Sequence, residues 1–342
     1  MSVSKEDYKK YLAPPIRGDR KPLHEILPLE HPLRVLIDPS DICNFRCKFC
    51  FQSQMKFEGR KMSRETFERV LTQLKDFSEP INVVHLYGLG EPLVNEDVPY
   101  YVERLKTCGV AREVAVTSNG SLLTHRMSQR LVEAGLDRLS ISLNGICDEH
   151  FREFVGVRVD FAKMYEQIQY FYSIRKNCHL HVKINGDYFT EEEKARFVEL
   201  FKDCTDSINI DHVVNVWPDL TVSDREQRMY DYDLENLRRN DTKLPPVCPL
   251  MFYELHVHSD GRVSPCAVDY SYKTQNLGSI YDTTLYDIWN GKTLQTIRLQ
   301  SLEGKKSDYG VCNCCEYADC AATVNITPYR GLLYEKYREG KQ

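Results

Sequence analysis

Short apolar segments that alternate with amphipathic segments set the strongest limit on the fold of this chain. The first apolar segment, 33–37, is followed by a helical pattern that begins at Ser63, where apolar residues recur every three or four positions. Five more apolar segments follow, with helical patterns between them. Six strands that alternate with helices predict a parallel α/β sheet. The strands are expected at 33–37, 81–87, 113–117, 138–143, 179–184 and 207–216, and helices among them at 97–108, 124–134, 161–176 and 191–204.

Three closely spaced cysteines follow the first predicted strand. Cys43, Cys47 and Cys50 have the spacing CxxxCxxC, with an aromatic residue just before the third. A short loop of this kind can place three thiolates around one face of a 4Fe–4S cluster, for which thiolates are the usual ligands. Three ligands leave one iron open to a small molecule. A zinc knuckle is the alternative, but it favours paired CxxC units and a fourth ligand, and no His follows Cys50 closely.

Three other predicted strands also end in unusual residues. The sequence after the second is Gly-Leu-Gly-Glu-Pro at 88–92, the third ends in Thr-Ser-Asn-Gly at 117–120, and the fourth runs into Ser-Leu-Asn-Gly at 142–145. Parallel barrels carry their functional residues at the carboxyl ends of the strands. These turns are therefore expected to surround one site together with the cysteine loop.

The cysteine spacing and the three turns together resemble the signature of the radical S-adenosylmethionine (SAM) superfamily. In that family the amino and carboxylate groups of SAM chelate the open iron. The resemblance covers about residues 31 to 216 and implies a partial (β/α)6 barrel of the TIM type, with a 4Fe–4S cluster and SAM as cofactors. It also implies that Cys43, Cys47 and Cys50 hold this cluster.

The resemblance further implies which residues contact SAM. In the family, the turn after the second strand binds the SAM amino group, and the next two turns contact the ribose and carboxylate. An aromatic residue lies near the adenine. Leu89 stands where the family motif has its first glycine, and Asn144 where it has an acid. The corresponding residues here are Phe49, Gly88, Gly90, Glu91, Ser118, Asn119, Ser142 and Asn144.

A second set of cysteines lies in the C-terminal half. Its first two members enclose a glycine turn and resemble the start of the SPASM domain, which holds auxiliary iron–sulfur clusters. Six cysteines are too few for two full clusters. One auxiliary 4Fe–4S cluster is therefore expected, as in the shortened "twitch" form of that domain, with Cys320 as an alternative to Cys315; a zinc ribbon is the other interpretation. The expected ligands are Cys248, Cys266, Cys312 and Cys315, whereas Cys314 is spare. A hairpin of strands 255–258 and 262–264 and a helix at 284–299 are predicted around them.

The chain is thus expected to have five parts. They are an N-terminal extension (1–30), a radical SAM barrel (31–222), a linker helix (223–247), a SPASM or twitch-like module (248–325) and a C-terminal tail (326–342). A net charge of −5 with 28% charged residues gives no sign of nucleic-acid binding. No apolar run long enough for a membrane span or a signal peptide is found, so a cytoplasmic location is expected.

The cofactors predict an enzyme that cleaves SAM to a 5′-deoxyadenosyl radical and removes hydrogen from a substrate. A sugar, aminocyclitol or nucleotide-sugar is the favoured substrate, with a net oxidation as the outcome and a flavodoxin- or ferredoxin-type protein as electron donor. Polar residues near the sixth strand, Asp211, His212, Asn215 and Asp219, and Asp269 after Cys266 are candidates for facing it. A maturase of ribosomal peptides is the alternative. Many maturases carry an extra N-terminal peptide-recognition domain, and only 42 residues precede Cys43.

Overall fold

A single mixed sheet organises the part of the chain that the structure describes. The computed structural model describes residues 8–12, 21–53, 55–211, 247–269, 277–305, 315, 317 and 324–339. Within these residues the sheet has nine strands in the order β6-β5-β4-β3-β2-β1-β7-β8-β9. Each of the first six strands pairs in parallel with those of the six that directly precede and follow it in the sequence, as the alternating pattern predicts. The predicted parallel α/β fold is therefore confirmed.

The N-terminal half alternates strands and helices. Its strands are β1 (Arg34–Ile37), β2 (Ile81–Leu86), β3 (Ala111–Ser118), β4 (Arg138–Leu143), β5 (His179–Asn185) and β6 (Ser207–Asp211). Its helices are α1 (Leu23–Ile26), α2 (Arg64–Leu74), α3 (Val98–Thr107), α4 (His125–Glu133), α5 (Asp148–Phe154), α6 (Phe161–Ile174) and α7 (Glu191–Phe201). The sequence did not predict α5. Residues 212–216, which were also expected in the sixth strand, lie outside the described part.

Local capping explains where several of these helices begin. The side chain of Ser63 accepts a hydrogen bond from the backbone N–H of Thr66, as predicted for the start of α2. Thr124 and Asp160 cap α4 and α6 in the same way. Thr190 forms a capping box with Glu193 at the start of α7. These caps fix the helix starts close to the strand ends that precede them.

The C-terminal half continues the same sheet. It contains β7 (Glu254–Val257), β8 (Arg262–Ser264), β9 (Gly278–Ser279), α8 (Leu285–Asn290), α9 (Lys292–Leu302) and α10 (Arg330–Glu339). Strand β7 pairs in parallel with β1, with His256 opposite Leu36. The predicted hairpin is confirmed, because β8 pairs antiparallel with β7. The hairpin therefore lies directly beside the strand that leads into the cysteine loop.

Two predictions for this half need revision. The single helix expected at 284–299 is wrong, because Gly291 divides it into α8 and α9. Gly291 has an extended backbone (φ −73°, ψ 157°), ends α8 and begins α9. A Cβ at this position would lie 2.6 Å from the carbonyl oxygen of Asp287, so only glycine fits the break. The expected C-terminal tail contains α10, whose Leu333 and Tyr337 are buried in the main core.

The two faces of the parallel sheet differ in burial. In β4 and β5, alternate residues such as Leu139, Ile141 and Val182 are fully buried, whereas Ser142 and Lys183 between them are half-buried. Helices cover the outer face of a β/α barrel, so the half-buried rows line its interior. Among the described residues, the structure has no helix that is both long enough and apolar enough to cross a bilayer.

Candidate active site at the carboxyl ends of the strands

The cysteine loop leaves the end of β1 and brings three thiols together. Cys43, Cys47 and Cys50 are all half-buried. Burial, followed by the charges of Cys50 and Cys43, raises the pKa of Cys47, and burial raises the pKa of Cys50 to about 11. Three half-buried thiolates that interact through their charges repel each other unless a cationic group binds them. Soft sulfur donors in this arrangement fit an iron–sulfur cluster with one open iron.

Asparagine side chains connect this loop to the ends of β3 and β4. The Nδ2 of Asn144 lies 3.5 Å from the Sγ of Cys47. Asn44, inside the loop, accepts a hydrogen bond from the Nδ2 of Asn119 at 2.9 Å and donates one to the Oγ of Ser121 at 2.8 Å. The predicted SAM-contact residues Asn119 and Asn144 therefore lie at the cysteine loop, although their contact with SAM stays a prediction.

Glu91 joins the end of β2 to the end of β3. It is 2% exposed, and its carboxylate accepts hydrogen bonds from the Oγ of Ser118 and the backbone N–H of Asn119, both at 2.7 Å. It also accepts one from the backbone N–H of Leu93 at 3.0 Å. Burial raises the pKa of Glu91 to about 6, although these three donors act in the opposite direction. The described contacts of this carboxylate thus hold the turns in place, and its predicted role toward SAM remains a prediction.

The two glycines of the Gly-Leu-Gly-Glu-Pro turn pack against protein. A Cβ on Gly88 would lie 1.5 Å from the Oδ1 of Asp38, and one on Gly90 would lie 2.4 Å from the carbonyl oxygen of Ile42. The backbone N–H of Glu91 donates to that same carbonyl at 2.9 Å. The glycines therefore allow the turn to pack tightly against the cysteine loop, a reason that the motif alone does not reveal.

The remaining predicted SAM contacts lie around the same rim. Phe49 is half-buried, and its ring centroid is 5.4 Å from that of Tyr188. Ser142 is half-buried on β4 and pairs in register with Lys183 on β5. Gly120 has a φ of +78°, which favours glycine in the turn after Asn119. The structure thus brings the predicted residues to one edge of the sheet.

Three predicted auxiliary ligands converge on a second, smaller apolar cluster. Its fully buried members are Phe51, Leu89, Leu250 and Val268, and the half-buried cysteines packed against it are Cys50, Cys248, Cys266 and Cys315. The other cysteines of this region, Cys312, Cys314 and Cys320, lie outside the described residues, and the ligand set stays a prediction. The thiols that are described lie around one apolar wall, which suits an iron–sulfur cluster shielded from water.

Leu89 has a structural role that the sequence did not predict. Its side chain is 3% exposed and belongs to the apolar cluster against which Cys50 and the auxiliary cysteines pack. A glycine, which the family motif has at this position, would leave that space unfilled.

Asp38, His256 and His258 form a buried polar group that the sequence did not single out. All three side chains are fully buried, and Asp38 hydrogen-bonds to both histidines. Asp38 directly follows β1, and the two histidines alternate along β7 and its end. The pattern His-Val-His before Ser-Asp-Gly in the sequence was the available signal.

The arrangement defines a class of enzyme before any relative is considered. A partial parallel β/α barrel with a three-thiolate loop and polar turns at one edge can hold an iron–sulfur cluster and a chelating small molecule beside a polar interior. The comparisons with known proteins agree. A family model of the radical SAM superfamily matches residues 37–210, and one of an iron–sulfur cluster-binding domain, SPASM, matches residues 248–316. The chain belongs to the radical SAM superfamily and carries a SPASM domain.

This membership settles the cofactors that the sequence indicated. A 4Fe–4S cluster and SAM belong to the barrel, and auxiliary iron–sulfur binding belongs to the SPASM domain. The zinc alternatives for the two cysteine groups are accordingly set aside. The exact ligands and the number of auxiliary clusters stay predictions.

Curated relatives match about half of the chain. A GTP 3′,8-cyclase of Staphylococcus aureus is 29% identical over 181 residues, which are 51% of this chain and 52% of the relative. A probable GTP 3′,8-cyclase of Saccharolobus islandicus is 33% identical over 193 residues, 56% of this chain and 58% of the relative. The chain spans about half the length of these curated relatives.

Solved structures of similar fold cover more of the chain. BtrN in complex with AdoMet and 2-DOIA has a TM-score of 0.53 at 18% identity and covers 82% of this chain and 92% of its own. Streptococcus suis SuiB bound to precursor peptide SuiA has a TM-score of 0.61 at 17% identity, covering 91% and 81%. Native anSMEcpe with bound AdoMet has a TM-score of 0.59 at 16% identity, covering 91% and 98%. At these identities the likeness shows the fold alone.

Proposed function

We propose that this radical SAM enzyme removes hydrogen from a small polar molecule, such as a sugar, aminocyclitol or nucleotide-sugar, and that the net reaction is an oxidation at a carbon next to oxygen or nitrogen. When bound, the reduced cluster supplies the electron that converts SAM to methionine and a 5′-deoxyadenosyl radical, and an auxiliary cluster supplies an acceptor for the electron left on the substrate. A flavodoxin- or ferredoxin-type protein is proposed as the source of electrons.

The polar interior of the barrel is the observation that supports this substrate class best. Lys183 pairs with Asp211 at 2.6 Å, and about a third of each side chain is exposed. Because Lys183 pairs in register with Ser142, it lies on the face of the sheet that leads to Asn144 and the cysteine loop. On the other side of the interior, the Nε2 of His85 lies 2.9 Å from the Oγ1 of Thr117. Hydroxyl and amino groups would find both donors and acceptors here.

The charge state of the interior histidines suits a ligand rich in hydroxyl groups. Burial and nearby cations, Arg138 first among them, lower the pKa of His85 to about 3. Burial and the charge of Lys183 lower the pKa of His181 to about 4. Both rings are therefore neutral near pH 7, and each can donate one hydrogen bond and accept another. The ion pair and the neutral rings can orient a substrate, while the surrounding barrel limits access of water.

The curated relatives support a small-molecule substrate, whereas one of the solved structures supports a peptide substrate. The names of the curated cyclases point to a nucleotide, GTP, which is a small polar molecule. The peptide-bound SuiB structure instead favours a maturase of ribosomal peptides, because it covers most of the present chain. The polar, ion-paired interior makes the small-molecule substrate our first choice.

Transfer of deuterium would test the proposal. The reconstituted enzyme is incubated with SAM, a reductant and deuterated sugars, aminocyclitols or nucleotide-sugars, and 5′-deoxyadenosine is analysed by mass spectrometry. We expect deuterium in 5′-deoxyadenosine with one of these substrates, and a raised KM for it in Lys183→Met. Cys47→Ala is the control without SAM cleavage. Transfer from a deuterated peptide encoded beside the enzyme, and from none of the small molecules, would establish the maturase alternative instead.

A further inference from the structure

A row of buried polar groups within hydrogen-bond distance of one another runs from the Gly-Leu-Gly-Glu-Pro turn to the backbone of a predicted auxiliary ligand. The backbone N–H of Leu89 donates to the Oδ1 of Asp38 at 3.1 Å, and the Nε2 of His256 lies 2.7 Å from the same oxygen. The Nδ1 of His258 lies 2.9 Å from the other carboxylate oxygen, Oδ2. The Nε2 of His258 is 2.9 Å from the Oγ of Ser264, which is 3.1 Å from the carbonyl oxygen of Cys266.

This row of polar groups connects the two predicted cluster sites: it begins beside the loop of Cys43 and ends at the backbone of Cys266. Asp38 directly follows β1 and begins the segment that reaches Cys43, and its own N–H donates to the carbonyl of Val257 on β7. Ser264 ends β8, two residues before Cys266. A displacement of the turn at Leu89 would therefore be transmitted to the backbone of Cys266 through only three side chains: Asp38, His258 and Ser264.

Tight packing holds these polar groups rigidly in place. Asp38, His256 and His258 are all 0% exposed, and the Cα of Gly88 leaves no room for a Cβ because Asp38 occupies that space. Buried polar groups that lose a partner remain without water, so each link has a high cost of breaking. Hydrogen bonds around a cluster's ligands also tune its potential.

We propose that Asp38, His256 and His258 form a positioning unit that couples SAM binding at the Leu89 turn to the auxiliary cluster at Cys266. Bound SAM would fix the position of the turn, and Asp38, His258 and Ser264 would hold the Cys266 backbone in register with it. Coupling of this kind is reciprocal, so the redox state of the auxiliary cluster also changes the affinity for SAM. The proposal rests on the cofactors of the family and not on the substrate proposed above.

The test measures the midpoint potential of the auxiliary cluster by EPR-monitored titration of the holoenzyme, with and without SAM. We expect SAM to shift this potential in the wild type. His258→Leu, which removes the contacts with both Asp38 and Ser264, should abolish the shift and weaken SAM binding about tenfold or more, because the loss of even one buried hydrogen bond costs about that factor. Ser264→Ala removes the contacts of this hydroxyl with His258 and Cys266, leaves the contact between Asp38 and His258, and should abolish the shift with little loss of SAM affinity. It also serves as the test if His258→Leu does not fold.

Gln73→Leu is the matched control. Gln73 is buried and also joins the barrel to the C-terminal half, donating to the carbonyl of Ile280 at 2.8 Å and accepting from the N–H of Leu285 at 3.0 Å, but it belongs to neither cluster site. This variant should lose thermal stability and keep the SAM-induced shift. A wild type without any shift, or a shift that survives in Ser264→Ala, would overturn the proposal.

A second measurement, metal analysis, distinguishes a metal site from a positioning unit. Ligand atoms of Asp38, His256 and His258 lie within 4.8 Å of one another, a spacing that a metal ion could also use. Metal analysis of the holoenzyme should find only cluster iron. One equivalent of zinc that disappears in His256→Leu would show that the three residues bind a metal and would also overturn the proposal.

Discussion

The side-chain amide of Asn144 lies 3.5 Å from the sulfur of Cys47, so the end of β4 contacts the cysteine loop. An N–H directed at a ligating sulfur stabilises the additional negative charge of a reduced cluster. The residue that stands in place of the family's acid is therefore placed to tune the cluster.

Removing this amide should lower the midpoint potential of the barrel cluster. Asn144→Leu loses the donor to Cys47, and we expect the reduced cluster to become harder to form in EPR-monitored titrations without SAM. Ser142→Ala, two residues earlier on β4, is the matched control and should keep the wild-type potential. Equal potentials in Asn144→Leu and Ser142→Ala would show that the amide does not act on the cluster.

A methyl group on Gly88 should destabilise the protein. Its Cβ would meet Asp38 at 1.5 Å, and overpacking of a buried site costs about 1–3 kcal/mol. Gly331→Ala is the control, since a Cβ there meets nothing within 4 Å and lies in α10, where alanine is favoured by up to ~1 kcal/mol. We expect Gly88→Ala to lower the thermal midpoint and Gly331→Ala to keep or raise it. A Gly88→Ala variant as stable as wild type would mean that Asp38 can move away.

Glu91 should make the stability of the protein depend on pH. Burial raises its folded-state pKa from 4.5 to about 6, so ionisation is less favourable in the folded protein than in the unfolded chain. The free energy of unfolding should then fall as pH rises from about 4.5 to above 6, by about 2 kcal/mol in total. Glu91→Gln cannot ionise and lacks this contribution.

The measurement compares thermal midpoints of the two proteins between pH 5 and pH 8. The midpoint of the wild type relative to that of Glu91→Gln should decrease with rising pH up to about pH 7 and then stay level. The variant also loses acceptor capacity toward Ser118 or Asn119, which gives a constant offset rather than a slope. A difference that does not change over the whole range would contradict a raised pKa.

Local patterns made much of the fold predictable. The spacing of Cys43, Cys47 and Cys50 and the cap at Ser63 depend on residues within a few positions of each other, and both lie in the predicted places. The alternation of strands and helices likewise fixed the parallel order of β1 to β6. Periodicity and capping report short-range geometry, so these features can be read from the chain directly.

Long-range contacts could not be predicted in this way. Asp38 and His256 are separated by 218 positions, and only the pairing of β7 with β1 brings them together. The tight packing of Gly88 on Asp38 likewise depends on the pairing of β1 with β2, which joins residues about 50 positions apart. The break at Gly291 was missed because the apolar pattern continues through it.

The auxiliary ligands can be assigned by iron content. Cys248→Ser, Cys266→Ser and Cys312→Ser should each reduce the iron of the reconstituted protein from about eight to about four per chain, because each removes a ligand of one cubane cluster. Cys314→Ser should keep about eight. Cys315 and Cys320 are the two candidates for the fourth ligand. We expect Cys315→Ser to lose the iron of the auxiliary cluster and Cys320→Ser to keep it. About twelve irons in the wild type would instead indicate two auxiliary clusters.

Formation of 5′-deoxyadenosine by the reduced protein tests the account most directly. The reconstituted enzyme should convert SAM to 5′-deoxyadenosine and methionine, and Cys43→Ala, Cys47→Ala and Cys50→Ala should each abolish this conversion and keep the auxiliary cluster, with iron falling from about eight to about four. Cys178→Ala changes a buried cysteine directly before β5, at the amino end of that strand, and should cleave SAM like the wild type. If a variant without Cys47 kept its full iron content and formed 5′-deoxyadenosine at the wild-type rate, the three-cysteine loop would not be the site of SAM cleavage.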